Sequence, residues 1–129
     1  MTGHEDWAVD GAPAEGPGPL DGVVVLDVTV VMAGSYCGLL LADMGADVIK
    51  VERTDIGDLT RWAGDGGVDA FRPLNRNKRG LALDLRERVG RDVLRRLAGS
   101  ADVLVENHRP GSMDRLGLGY QDLAEVNPG

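Results

Sequence analysis

The amino-acid sequence predicts an α/β fold built on a parallel sheet in a Rossmann-like arrangement. Four short apolar runs, three of them rich in β-branched residues, are separated by two segments of helical apolar period and one long irregular segment. The runs are too short to be helices, and continuous apolar runs are typical of strands buried on both faces of a sheet. Strand, helix and strand with short joins form βαβ units, whose crossovers are right-handed.

The first βαβ unit begins with a strand at residues 23–28, followed by a turn at residues 33–35. Apolar residues at i, i+3, i+4 and i+7 then predict an amphipathic helix with a buried stripe of Cys37, Leu40, Leu41 and Met44. Gly45 is expected to end this helix, and residues 47–52 are the second strand.

The second unit follows a long segment, residues 53–79, without a clear period, and such a segment is usually functional or disordered. Residues 81–85 and 102–106 are the third and fourth strands. Gly99 ends the helix between them, whose predicted buried stripe is Val89, Val93, Leu94 and Leu97. A loop at 107–111 and two short helices complete the chain, at residues 112–116 with Ser112 as the cap and at residues 120–126.

Composition limits the class of protein. The net charge of −7 argues against a nucleic-acid-binding protein, and no apolar stretch is long enough to span a bilayer. Cys37 is the only cysteine, which excludes an internal disulfide, favours a reducing cytoplasmic setting and suggests a buried packing role for this side chain.

Two parts are expected along the chain. Residues 1–18 are rich in Gly, Pro, Ala and acidic residues and predict a disordered leader. Residues 19–129 form the Rossmann-like portion. We expect this portion to be incomplete, because two substantial helices cannot cover both faces of a four-stranded parallel sheet.

A candidate anion site lies where the strands end. Nine of the fourteen basic residues fall between Arg72 and Arg96, opposed by only three acidic ones. In open α/β sheets, ligands bind at the carboxyl ends of the strands. That edge carries Arg53, Arg86 and the loop 107–111, and residues 75–79 add a segment dense in hydrogen-bond donors. Arginine forks match phosphate oxygens, so a ligand with several phosphates and a long neutral arm suits this edge.

Other chemistry is disfavoured. The first βα turn lacks the glycines of a dinucleotide-binding G-x-G-x-x-G turn, and there is no P-loop, G-x-S-x-G elbow or H-E-x-x-H motif. His4 and His108 have no Cys or His partner at ligand spacing, so no metal site is predicted.

The sequence resembles the family III CoA-transferases, a group that includes formyl-CoA and carnitine CoA-transferases and also α-methylacyl-CoA racemases. The resemblance extends from Pro19 to Pro128, and several long motifs in fixed order carry it: PLDGVVVLDVT, MAGSYCGLLLADMGADVIKVER, GDLTR, LNRNKRGLALDL, and ADVLVENHRPGSMDRLGLGY followed by NP. The resemblance implies the N-terminal, Rossmann-like part of an interlocked homodimer.

The implied reaction moves coenzyme A (CoA) from an acyl-CoA to a free carboxylic acid through an aspartyl anhydride and an enzyme thioester. CoA is a substrate here, and no metal or tightly bound cofactor is implied. The catalytic aspartate is expected beyond Gly129, so no catalytic residue is assigned within this chain. Residue by residue, the matching CoA-contact positions are Met32, Arg53, Leu83, Arg86, Asn107, His108 and Arg115.

The resemblance gives these positions different roles. The three arginines would meet phosphates or frame the nucleotide, and Leu83 would pack near the adenine. Asn107 and His108 would line the pantetheine path. Met32 matches a position held by glutamine in formyl-CoA transferases, and a methionine cannot donate a hydrogen bond to an oxyanion.

Three functions stay open from the sequence. The first is a CoA-transferase, favoured by residues 75–79 and 105–111. The second is an acyl-CoA racemase of the same superfamily, which would use a His and a carboxylate also expected beyond Gly129. The third is a non-catalytic fragment or one part of a split enzyme, whose uncovered sheet faces would depend on a partner.

Overall fold

A computed structural model of the chain describes residues 17–62 and 70–128. The predicted leader, with His4, lies almost entirely outside this range, as do residues 63–69 of the irregular segment. The strands are β1 (Val24–Asp27), β2 (Asp47–Glu52), β3 (Arg79–Ala82) and β4 (Val103–Val105). The helices are α1 (Val31–Asp43), α2 (Phe71–Asn75), α3 (Arg88–Ala98), α4 (Ser112–Arg115) and α5 (Tyr120–Ala124), and Leu59–Arg61 forms a 3₁₀ turn.

The four strands form one parallel sheet in the order β3-β2-β1-β4. Val24 lies opposite Asp47, Val25 opposite Val103, and Ile49 opposite Arg79. This topology confirms the predicted α/β, Rossmann-like fold. Because all strands run the same way, the segments that follow β1, β2, β3 and β4 emerge at one edge of the sheet, called here the carboxyl edge.

The core lies on both faces of the sheet. On one face, Leu26, Ile49 and Val51 pack with Leu94 of α3 and Leu118. On the other face, below α1, a smaller cluster contains Val25, Val48, Ala42 and Ala46. Alternate residues of β1 and β2 therefore contribute to opposite layers, as expected for strands buried on both sides. No helix within residues 17–62 and 70–128 has the length and apolar character needed to cross a membrane.

Three predictions about α1 are wrong: the turn at residues 33–35, the buried stripe, and the buried packing role of Cys37. Residues 33–35 are helical rather than a turn, and the buried face is Gly34, Ser35, Gly38, Leu39 and Ala42. Three residues of the predicted stripe, Cys37, Leu40 and Met44, are exposed instead. The helix is apolar on nearly every side, so periodicity alone could not identify the buried face.

Small residues decide which face of α1 packs on the sheet. A Cβ atom at Gly34 would collide with the Thr29 side chain, and one at Gly38 would lie 2.5 Å from Asp27 Oδ2. Glycine at these positions lets the helix backbone approach the end of β1 closely. Gly45 follows the helix with φ of 99°, which confirms it as the C-terminal stop.

The other corrections concern the boundaries of β3, the buried face of α3 and the cap of α4. Strand β3 was predicted at residues 81–85 but occupies Arg79–Ala82, because its partner β2 ends at Glu52, opposite Ala82. Val89, predicted in the buried stripe of α3, is 73% exposed. Helix α4 begins at Ser112, and Gly111, with φ of 76°, is the capping position.

Candidate ligand site at the carboxyl edge

The turn between β1 and α1 is held in a strained conformation. Val31 has φ of 63°, which is a genuine outlier for a β-branched residue. The Val31 N–H donates to Asp58 Oδ2 (3.1 Å). The Asn107 side chain pairs with both backbone groups of Val30, accepting from its N–H (2.9 Å) and donating to its carbonyl (2.9 Å). Such strain costs about 1–3 kcal/mol and persists only where surrounding contacts hold it.

His108 joins the same turn. Its Nε2 lies 2.9 Å from the carbonyl oxygen of Val28, and a carbonyl only accepts, so Nε2 carries the hydrogen. Met32, the second residue of α1, is 63% exposed beside this turn. The structure therefore brings three predicted site residues together around one turn: Met32, Asn107 and His108.

Below the turn lie four buried charges, called here the buried ion cluster: Asp27, Lys50, Asp58 and Lys78. Each of these side chains is at most 2% exposed. Lys50 Nζ lies 3.4 Å from Asp27 Oδ1 and 3.3 Å from Asp58 Oδ2, and Lys78 Nζ lies 2.8 Å from Asp27 Oδ2. Two positive and two negative groups balance, as buried charges require.

Neutral partners complete the buried ion cluster. Lys50 donates to the Thr29 carbonyl (2.6 Å) and the Ser35 hydroxyl (3.0 Å). Lys78 donates to the Ser35 carbonyl (2.7 Å) and to Asn75 Oδ1 (2.8 Å). Among the described residues, every buried side-chain nitrogen and oxygen has a hydrogen-bond partner. The cluster thus fixes the β1–α1 turn to β2 and to the segment before β3.

The ionisation of the cluster reflects these contacts. Burial alone would raise the pKa of Asp58, but hydrogen bonds from the Thr60 N–H and hydroxyl and the charge of Lys50 outweigh it, so that pKa is lowered. Burial lowers the pKa of Lys78, and the contact with Asp27 opposes this only in part.

Hydrogen bonds to residues outside the buried ion cluster also hold Asp58 in place. Glu52, the last residue of β2, accepts from the Asp58 N–H (3.0 Å) and receives two bonds from the Arg61 guanidinium (2.7 and 2.8 Å). The Arg61 guanidinium also lies 3.4 Å from the centre of the Phe71 ring. The hydrogen bonds from Arg61 are the main cause of a lowered pKa at Glu52.

The arginines after β2 and β3 meet at the carboxyl edge. Arg53 Nη2 lies 2.6 Å from Asp55 Oδ2, and Arg86 Nη2 lies 3.6 Å from the same oxygen. Arg86 also binds Asp84 with two hydrogen bonds (2.9 and 2.7 Å), which lower the pKa of Asp84 to about 2. The Arg53 and Arg86 side chains are 54% and 65% exposed.

Leu83 and Arg115 stand apart from these two groups. Leu83 directly follows β3, donates its N–H to the Glu52 carbonyl (2.8 Å) and packs, partly buried, against the core. Arg115 ends α4 and donates to Ser112 Oγ (3.1 Å), a contact within its own helix. No hydrogen bond or ion pair in the described part of the chain links Arg115 to the other predicted site residues.

Residues 75–79 were predicted to offer free donors to a ligand, and the structure corrects this. Lys78 and Asn75 belong to the buried ion cluster and its partners. Arg76 and Asn77 both bind the Asp43 carboxylate at the end of α1, and Arg79 binds Asp47 (2.6 Å). The side-chain donors of this segment therefore hold α1 and the start of β3 in place.

The sequence prediction missed Asp27, Lys50 and Asp58. Lys50 lies in the middle of an apolar strand and Asp27 at the end of another, positions that a sheet covered on both faces buries. That placement was the available signal, because a charge at a buried position needs a partner of opposite sign. No group of three or more His, Cys, Asp or Glu side chains in the described residues is arranged to hold a metal ion.

The parallel sheet and its charged carboxyl edge define an α/β protein of Rossmann-like architecture. The family model described as CoA-transferase family III matches residues 20–129. The chain belongs to that family.

Relatives of known activity support this assignment. The chain is 48% identical over 119 residues to the succinyl-CoA:mesaconate CoA-transferase of Haloarcula hispanica, covering 86% of this chain and 30% of that protein. It is 42% identical over 114 residues to the human succinyl-CoA:glutarate CoA-transferase, covering 85% of this chain and 26% of that protein. For the formyl-CoA:oxalate CoA-transferase of Rhodopseudomonas palustris, the identity is 49% over 113 residues, with 84% and 27% covered.

Solved structures share this fold. The protein Rv3272 of Mycobacterium tuberculosis matches with a TM-score of 0.80 at 43% identity, over 86% of this chain and 30% of that one. A CAIB/BAIF family protein of Brucella suis matches with a TM-score of 0.80 at 39% identity, over 87% and 32%. The chain therefore spans about a third or less of the length of the relatives named here.

Proposed function

We propose that this chain supplies the CoA-binding portion of an enzyme that transfers CoA from an acyl-CoA to a free carboxylic acid. One observation carries the proposal. Arg53 and Arg86, which follow neighbouring strands, both lie within 4 Å of a single carboxylate oxygen of Asp55. An anionic oxygen at the carboxyl edge is thus already reached by both guanidinium groups, and a phosphate oxygen offers them the same charge and hydrogen-bonding capacity.

The rest of the site follows the edge from this arginine pair toward the β1–α1 turn. Leu83 is available to pack against the adenine, and Arg115 to frame the nucleotide from α4. His108 and Met32 flank the path of the pantetheine arm. The amide of Asn107 is fully engaged with Val30, so its role in this proposal is to shape the path rather than to bind the arm directly.

The proposed chemistry needs a carboxylate nucleophile, an aspartate expected outside these residues. Its attack on the acyl-CoA thioester carbonyl expels the CoA thiolate and forms a mixed anhydride. The thiolate then attacks the aspartyl carbonyl and releases the donor acid, which leaves an enzyme thioester. The acceptor carboxylate attacks this thioester, which expels the CoA thiolate and forms a second anhydride. The thiolate then attacks the carbonyl carbon of the acceptor, which forms the new acyl-CoA and frees the aspartate. CoA binding by the arginine pair keeps the thiolate close through these steps.

Calorimetric titration of CoA into this chain tests the proposal. We expect measurable binding, weakened about tenfold by Arg86→Ala, which corresponds to about 1.4 kcal/mol. Arg79→Ala is the matched control, because Arg79 is an equally exposed arginine in an ion pair with Asp47 at the opposite end of the strands. Equal losses in both variants, or no binding of CoA, would contradict the proposal.

A further inference from the structure

Asp55 occupies the position between the two proposed phosphate-binding arginines. Its Oδ2 accepts a hydrogen bond from Arg53 (2.6 Å) and lies 3.6 Å from Arg86 Nη2. Its Oδ1 accepts from the N–H of Ile56 (2.9 Å). The carboxylate therefore bridges the pair while its own turn holds it from the other side.

The local charge is balanced without a ligand. Arg53 and Arg86 carry two positive charges, and Asp55 and Asp84 carry two negative ones. A phosphate arriving at this edge meets a neutral group of four side chains rather than two free cations. A phosphate that binds the arginine nitrogens now paired with these carboxylates requires one of the carboxylates to give way.

Asp55 is the carboxylate that an arriving phosphate can displace more easily. Asp84 is 25% exposed, holds Arg86 with two side-chain bonds, and also accepts the Arg86 N–H (2.9 Å), so it orients that arginine. Asp55 is 39% exposed and makes a single hydrogen bond to an arginine. It also lies directly between Arg53 and Arg86, where a bridging phosphate oxygen would bind.

We propose that Asp55 is a built-in competitor for the phosphate groups of the ligand, occupying the arginine pair in the free protein and lowering its affinity for CoA. The inference rests on the proposed function. It gives Asp55 a role opposite in sign to that of the arginines, since removing its charge should strengthen binding. A carboxylate that served only to stabilise the turn would not have that effect.

Titrations of wild type, Asp55→Asn and Asp47→Asn with CoA and with inorganic pyrophosphate test this. Asn keeps the acceptor for Ile56 and removes the charge. We expect Asp55→Asn to tighten the binding of both probes about fivefold, as expected for removing one like charge about 4 Å away in a solvated setting. Asp47→Asn removes the same charge from an exposed ion pair at the opposite end of the strands and should leave both affinities within about twofold.

The outcomes separate this inference from the proposed function. If Arg86→Ala weakens CoA binding but Asp55→Asn does not tighten it, the competitor role is wrong and the proposed site stands. Equal tightening in Asp55→Asn and Asp47→Asn also overturns the competitor role, because it shows a general charge effect. If the arginine variants leave CoA binding unchanged, or if neither probe binds, the proposed site fails and this inference fails with it.

Discussion

Lys50 and Lys78 bind opposite oxygens of one buried carboxylate, that of Asp27 at the end of β1. Lys50 reaches Oδ1 from the neighbouring strand, and Lys78 reaches Oδ2 from the segment before β3. With Asp58 as the second anion, the cluster is neutral and hydrogen-bonded throughout. The carboxyl edge is therefore supported from below by a charge-balanced group rather than by an apolar core.

Lys78→Met should destabilise the chain strongly, because it leaves Asp27 and Asp58 to share one lysine. Breaking a buried ion pair by removing one partner costs about 3–5 kcal/mol. Urea unfolding monitored by circular dichroism measures this. Arg79→Met, at the neighbouring exposed position, should change the free energy of unfolding by less than about 0.5 kcal/mol.

The double variant Asp27→Asn/Lys78→Met tests whether charge imbalance is the cause. It restores neutrality, with Lys50 left opposite Asp58, and should recover part of the loss seen in Lys78→Met. A double variant less stable than the single one would show that packing, not charge, dominates at this site.

Gly38→Ala should destabilise the chain even though alanine favours helices by about 1 kcal/mol over glycine. The new methyl group would lie 2.5 Å from Asp27 Oδ2 and 3.1 Å from Lys78 Nζ. We expect a net loss of about 1–3 kcal/mol in the free energy of unfolding, the usual range for overpacking. Gly80→Ala serves as the control, since a Cβ there has no atom within 4 Å; a similar loss in both would argue against the close approach of α1.

Acid should weaken the fold through Glu52 and Asp58. Both have pKa values lowered from their ordinary values of 4.5 and 3.8, by the bonds from Arg61 for Glu52 and by the bonds from Thr60, against burial, for Asp58. The unfolded chain therefore binds protons at these two carboxylates more readily than the folded chain does. The stability that the ionised carboxylates contribute is present above their ordinary pKa values and is lost as the pH falls through the lowered pKa of each group. The urea concentration at the unfolding midpoint, measured from pH 6 downward, should decrease once the pH is below about 4.5.

Glu52→Gln is the matching variant for that titration. It should be less stable at neutral pH and lose less stability on acidification than wild type. An unchanged pH dependence would show that the Arg61 contact does not control the protonation of Glu52.

Val31→Gly should be tolerated far better than Val30→Gly. Glycine adopts the φ of 63° found at Val31 without strain, which offsets its own backbone entropy cost of about 0.5–1 kcal/mol. Val30 has φ of −128°, an ordinary extended value, so glycine at this position relieves no backbone strain. We expect Val31→Gly to be more stable than Val30→Gly by about 1–2 kcal/mol in urea unfolding; the reverse order would mean that the turn is unstrained.

The sequence predicted the sheet well because β-branched runs mark buried strands. Residues 47–52 match β2, and the βαβ pattern predicted that the strands are parallel. It also placed Arg53 and Arg86 at one edge, because parallel strands end on the same side. That these arginines, with Met32, Leu83, Asn107, His108 and Arg115, bind CoA remains a prediction, as does the homodimer.

The sequence could not predict which face of α1 is buried. Apolar side chains surround the helix, and the choice depends on Gly34 and Gly38 fitting against Thr29 and Asp27, a contact between elements. Likewise, the role of Lys78 depends on a partner 51 residues away, Asp27. Local pattern carries no information about such pairs.

The pairing of Asn107 with Val30 joins two loops separated by 77 residues of sequence. With the contact between His108 and the Val28 carbonyl, it holds the β1–α1 turn to the loop that follows β4. The shape of the turn beside Met32 therefore depends on the loop that follows β4 and not only on the βαβ unit that contains the turn.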